Sequence, residues 1–223
     1  MRLLCITDLH GDDWLLDAII ADAGDADALL LGGDITHFGT PNAAESLVRR
    51  AQKACSIVMA VAGNCDSLAI DRRLADLGVA LMGRGLMHGG LGFYGVSAMP
   101  PWIGGMYELT EEQIAAALEA GRRQLESPAW EIVLSHSPPH RTALDRTRRG
   151  EHVGSRAVRA FIEQHRPALV VCGHIHEARG IDTIGSTRIV NCGQASRGYY
   201  AVAEVNEAVD VELRALPSSG MSR

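Results

Sequence analysis

Seven side chains able to hold a metal ion recur where an apolar run gives way to glycine or a polar turn. Asp8 and His10 follow "LLCIT", Asp34 follows "ALLLGG" and Asn64 follows "VMAVAG". His136 follows "EIVLS", and His174 and His176 follow "ALVVCG". Two carboxylates, one amide and four imidazoles make an oxygen and nitrogen donor set, suited to manganese first, then iron or zinc, rather than calcium. The set makes no demand on thiolates. Seven protein ligands exceed the needs of one ion but suit two ions bridged by a carboxylate. Ions about 3.5–4 Å apart can clamp a phosphoryl group and activate the water between them.

Singly, these pieces are weak. An Asp-x-His pair can simply close a strand, and Gly-Gly-Asp is common in turns. "GHIH" is more specific, because imidazoles two residues apart on an extended segment share one face. Other reactive types have blander readings available. Cys65 in "GNCD" reads as a small wall residue, a weak acid or substrate contact, a ligand or a thiol nucleophile. No spacing supplies the nucleophile with an activating base. Asp66 is read as bracing the loop. His37, three residues after Asp34, and His140 in "SHSPPH" are candidates for reaching the pocket. Arg141, at the start of an arginine-rich stretch, is a candidate phosphate contact against a solvated basic loop. His88, His152 and His165 default to surface or structural roles, and Cys5, Cys55, Cys172 and Cys192 to small buried hydrophobes.

These groups need strands whose ends meet. "RLLCIT", "ADALLLGGD" and "SIVMAVAGN" read as buried strands, each followed by a helical pattern. That βαβαβα order, with near-continuous apolar strands, predicts a parallel sheet covered on both faces. The carboxyl ends of such strands are where ligands bind. "LTEEQIAAALEAGRRQLES" predicts a helix with Thr110 and Gln113 in a capping box, and "SRAVRAFIEQHRP" one stopped by Pro167. From Arg179 onward short β segments predict antiparallel additions forming a second sheet. One domain over 1–216 and a disordered tail over 217–223 are expected.

The 223 residues are 47% hydrophobic, enough for one sizeable core. A net charge of −6 weighs against long nucleic acids and anionic membranes. Five scattered cysteines without a CxxC pair, no leader-like N-terminus and no membrane-length apolar run predict a cytoplasmic protein. An oligomer is compatible with this composition.

"DLH", "GGD", "GNCD", "SHSPP" and "GHIH", in that order over roughly residues 6–176, resemble the motif blocks of the calcineurin-like metallophosphoesterase superfamily. The later "GHIHEARG" and "VNCGQASRGYYAVAEV" resemble a compact prokaryotic branch without a lid. The resemblance implies an α/β fold, a four-layer α/β/β/α sandwich, with a dinuclear centre. It assigns Asp8, His10, Asp34 and His176 to one ion and Asp34, Asn64, His136 and His174 to the other, with Asp34 bridging. The implied activity is hydrolysis of a small phosphodiester or phosphomonoester by a metal-activated hydroxide.

The sequence departs from the pattern at one place. The superfamily motif has histidine after the asparagine, in position to protonate the leaving group, and here Cys65 stands there. A neutral thiol is a poor substitute. The expectation is a preference for good leaving groups such as aryl or nucleotide esters, with His37 or His140 as other proton sources. The same family holds binding and scaffold members, so a non-catalytic role is the alternative.

Overall fold

The computed structural model describes residues 1–102 and 104–217, so the expected tail lies, from residue 218 on, outside the described residues. The chain runs β1 (Arg2–Ile6), α1 (Asp13–Ala23), β2 (Ala28–Gly32), α2 (Pro41–Ala54), β3 (Val58–Val61), α3 (Leu68–Asp76), β4 (Gly85–His88) and β5 (Leu91–Val96). It continues as α4 (Glu111–Arg122), β6 (Trp130–Ser135), α5 (Arg156–His165), β7 (Leu169–Cys172), β8 (Gly180–Ile184), β9 (Thr187–Asn191), β10 (Tyr199–Val205) and β11 (Val209–Ala215).

Two mixed sheets pack face to face. The first has the order β11-β10-β1-β2-β3 and the second β4-β5-β6-β7-β9-β8. Because strand side chains alternate, each central strand feeds two cores. In β1, Leu4 and Ile6 meet Leu16, Ile19 and Val48 of the helices α1 and α2, while Leu3 and Cys5 meet Leu134 and Val171 across the sandwich. In β6 and β7, Val133 and Val170 turn outward onto Ile114 of α4 and Phe161 of α5. The layers are therefore helix, sheet, sheet, helix. Leu134 lies fully buried in the middle layer, where truncation to alanine costs about 2–5 kcal/mol.

The sheet β1-β2-β3 is covered on both faces, as expected, by helices on one and by the second sheet on the other. One expectation is corrected. The late strands do not build the second sheet by themselves. β8 and β9 extend it beside β7, whereas β10 pairs antiparallel with β1 (Arg2 opposite Glu204) and returns to the first sheet. β4, a half-exposed edge strand, escaped the sequence reading because "GLMH" is too short to show periodicity.

Local signals place the helix ends. Thr110 accepts from the Gln113 N–H, and Gln113 reaches back to the Thr110 N–H, which closes the expected capping box. Arg166, in a left-handed conformation just before Pro167, ends α5.

Candidate metal centre

The parallel strands β1, β2 and β3 of one sheet and β6 and β7 of the other end on the same side of the sandwich. Asp8 and His10 follow β1, Asp34 follows β2 and Asn64 follows β3. His136 follows β6, and His174 and His176 follow β7. Backbone contacts hold the ends in register: Asp8 N–H donates to Gly33 O at 3.0 Å and His10 N–H to Asp34 O at 2.8 Å. Across the sheets, the His174 N–H donates to both Asp8 carboxylate oxygens, at 3.2 and 3.1 Å.

The turns are tight and strained. Asp8, His10, Asp34 and His174 all have positive φ, between 47° and 67°, a region that costs non-glycine residues free energy. Two glycines make room. A Cβ on Gly63 would lie 2.1 Å from Asp34 Oδ1, and one on Gly173 would lie 2.2 Å from Asp8 Oδ2. Asp66 accepts from the N–H groups of Ile35, Thr36 and Gly63 and from the Thr36 hydroxyl, so it ties the Asp34 and Asn64 turns together.

All seven predicted ligand residues come together. Ligand atoms of Asp8, His10 and His176 lie within 4.8 Å of one another, as do those of Asp8, Asp34 and His136. His176 Nε2 is 3.2 Å from Asp8 Oδ1 and 3.5 Å from His10 Nε2, and His10 Nε2 is 3.9 Å from Asp34 Oδ2. On the other side, His136 Nε2 is 2.9 Å from Asn64 Oδ1 and 3.6 Å from Asp34 Oδ1, and its ring lies 5.1 Å from that of His174. "GHIH" reaches the cluster differently from the expectation. His174 is left-handed and His176 opens a 3₁₀ turn, so the two imidazoles split, one toward His136 and one toward Asp8 and His10.

The donor set fits cations. His136 Nδ1 lies 3.0 Å from the Gly32 carbonyl, which only accepts, so Nδ1 carries a hydrogen. In the neutral ring Nε2 then turns one lone pair on another, that of Asn64 Oδ1. A proton or a cation between them resolves the clash. Asn64 Nδ2 points away, to Cys65 Sγ and Met106 Sδ, both at 3.4 Å.

Charges reinforce this. Burial lowers His10 to about 4 and His174 to about 3, leaving neutral imidazoles with lone pairs to give. Burial, with the charges of Asp8 and Asp66, raises Asp34 to about 6. Burial works upward on Asp8 too, but the His176 hydrogen bond and the His136 charge outweigh it and hold Asp8 below its ordinary value. The Asp8 hydrogen bond raises His176. Protons on these histidines occupy positions a cation would take.

An open cleft of 510 Å³ lies over the cluster, lined by His10, Asp34, His37, Asn64, Cys65 and His176 among others. His37 stands at its edge, its ring 5.4 Å from that of His10 and 5.0 Å from that of Phe38. Cys65 is buried, and burial followed by the Asp34 carboxylate pushes its thiol well above the ordinary range, the reverse of a nucleophile's environment. Arg141 lies elsewhere, lining a hollow with Thr142, Arg159 and Arg166. His140 lies in a neighbouring cleft that meets the first at His174. Gln194, just past β9, also lines the main cleft; its place after a strand end was the signal that could have found it.

The sequence and the fold match known proteins. The family model described as calcineurin-like phosphoesterase matches residues 1–178. An uncharacterized protein of Methanocaldococcus jannaschii, MJ1162, is 33% identical over 207 residues, covering 90% of this chain and 91% of that protein. The crystal structure of TT1561 of Thermus thermophilus superposes with a TM-score of 0.76 at 20% identity, covering 96% of this chain and 98% of that one. A structure described as a novel archaeal phosphodiesterase gives a TM-score of 0.55 at 12% identity, covering 97% of this chain and all of that one. A match over most of the chain, on a fold whose strand ends gather this donor set, makes the protein a member of the calcineurin-like phosphoesterase family.

Proposed function

We propose that the protein is a metal-dependent hydrolase of small phosphoric esters, with two ions held at the strand ends. The carrying observation is the convergence of Asp8, His10 and His176 on one side of Asp34 and of Asn64, His136 and His174 on the other. Bound cations would supply Lewis acidity toward the phosphoryl oxygens and acidify water. The residues supply the frame: Asp34 reaches toward both sides, Asn64 offers Oδ1, and Asp66 holds both turns. The oxygen and nitrogen donor set favours manganese, with iron or zinc as further candidates.

With Cys65 neutral and buried, the substrate is a phosphodiester or phosphomonoester whose leaving group departs without strong protonation. The phosphodiesterase description of one fold neighbour accords with the diester reading. Five free buried cysteines accord with a reducing cytoplasm.

Metal analysis of the purified protein and hydrolysis of bis(4-nitrophenyl) phosphate with added manganese test this reading. About two ions per chain and turnover that Asp34→Asn abolishes are expected. Cys65 in place of an imidazole motivates the rival, a binding protein on the same fold. Bound metal with no hydrolysis of any ester across a broad screen favours that rival, and absence of bound metal removes the site assignment.

A further inference from the structure

A second cleft, of 440 Å³, opens beside the first, and His174 lines both. Its walls are apolar on the side of Met99, Pro100, Pro101 and Ile175, with Trp102 at 71% exposure. His140, His152 and Arg156 line it too. We propose that this cleft receives the organic half of the ester, the departing alcohol, and that it selects a flat aromatic one. The inference rests on the phosphoesterase reading above and names its substrate class.

Four observations carry it. First, the cleft touches the metal centre through His174 and so begins where a phosphoryl group would sit. Second, Trp102 leaves its indole largely exposed beside two prolines, surfaces on which a flat ring stacks. Third, Glu151 and Glu177 line the cleft together with Arg156, so its charges largely offset and it suits a neutral group.

Fourth, the imidazole wall is built. Asp145 is fully buried and accepts from the N–H groups of Arg141, Thr142 and Gly154. It also holds His152 Nδ1 at 2.7 Å and lies 3.5 Å from His140 Nδ1. His152, which the sequence left among the bland histidines, thus stands fixed in a cleft next to the proposed reaction centre. Hydrogen bonding to the departing oxygen is chemistry that Cys65 does not offer.

The rival is a 380 Å³ hollow on the Asn64 side, lined by Phe38, Leu68, Met106 and Tyr107 among others. Among the described residues, no imidazole or cation lines it.

Calorimetric titration of manganese-loaded protein with phenylphosphonate and methylphosphonate, neither of which is hydrolysed, tests the assignment. Phenylphosphonate is expected to bind about tenfold more tightly. Trp102→Ala should cut that preference to about twofold while leaving methylphosphonate unchanged, the scale of a lost aromatic contact, and Phe38→Ala should leave it intact. Equal affinities overturn the inference and leave the proposed function standing. A preference lost in Phe38→Ala but kept in Trp102→Ala overturns it in favour of the Asn64-side hollow. Failure of both phosphonates to bind overturns the phosphoesterase reading and this inference with it.

Discussion

Asp66 Oδ1 accepts twice from Thr36, from its N–H at 2.9 Å and its hydroxyl at 2.8 Å, and so fastens the turn of Asn64 to the turn of Asp34. The other oxygen accepts from Ile35 and Gly63. Asp66→Asn replaces one acceptor by a donor facing N–H groups. The variant should lose about 2–4 kcal/mol of stability, since a buried charged acceptor is removed from its donors. Urea unfolding checks this through a lower midpoint at unchanged slope. Metal content should fall in the folded variant as well, because the two turns lose their common anchor.

Gly63→Ala should be more damaging than its single methyl suggests. The added carbon meets Asp34 Oδ1 and the Asp34 backbone N, at 2.1 and 2.2 Å; the first is held by the Cys65 N–H at 2.7 Å and the second is main chain. Loss of more than about 3 kcal/mol, or failure to fold, is expected. Gly78→Ala is the comparison: φ is +73° there but no atom lies within 4 Å of the added Cβ, so its cost should stay near the backbone cost of about 1–2 kcal/mol. Equal stability losses in the two variants would show that the close approach at Gly63 is unimportant.

Cys65→Ala should retain turnover of aryl esters within about threefold, because a neutral buried thiol gives no strong proton donor. Cys65→His should help most where departure is hardest. A leaving-group series measures it: the dependence of rate on leaving-group pKa is steep in the natural protein and shallower with histidine. Parallel slopes would count against Cys65 as the origin of that preference.

Asp71 offers a pH signature outside the metal centre. Burial raises its pKa above 3.8, partly offset by hydrogen bonds from Tyr107 and Ser97. The protonated form is therefore favoured by folding. Its stabilising contribution is complete below the unfolded value near 3.8 and is lost as pH rises through the higher folded value. Asp71→Asn has no proton to lose, so its Tm relative to the natural protein should climb as pH rises from about 4 through the raised folded value. A pH-independent offset sinks the assignment.

What the sequence made legible were the features decided locally. Thr110 and Gln113 specify their own capping box, Pro167 stops its helix, and glycines stand where Asp8 and Asp34 need space. The seven residues that converge at the strand ends were visible because each stands within a few residues of the end of an apolar run. Long-range pairing was not legible: nothing in "GYYAVAEV" says that its partner is β1 at the opposite end of the chain. His152 was missed for a similar reason. Its meaning comes from buried Asp145 seven residues earlier on an irregular loop, where no periodicity reports which way a side chain turns.

Asp8, His10, Asp34 and His174 sit in left-handed conformations, each at a cost of about 1–2 kcal/mol. The chain gives up folding free energy at positions that would do chemistry, and recovers part of it through the backbone N–H groups that donate to the Asp8 and Asp34 carboxylates. Replacing any of them by glycine relieves backbone strain at the moment it erases a ligand. At Asp8 and Asp34 the same change leaves buried N–H groups without their acceptor, so the relief of strain is offset by lost hydrogen bonds.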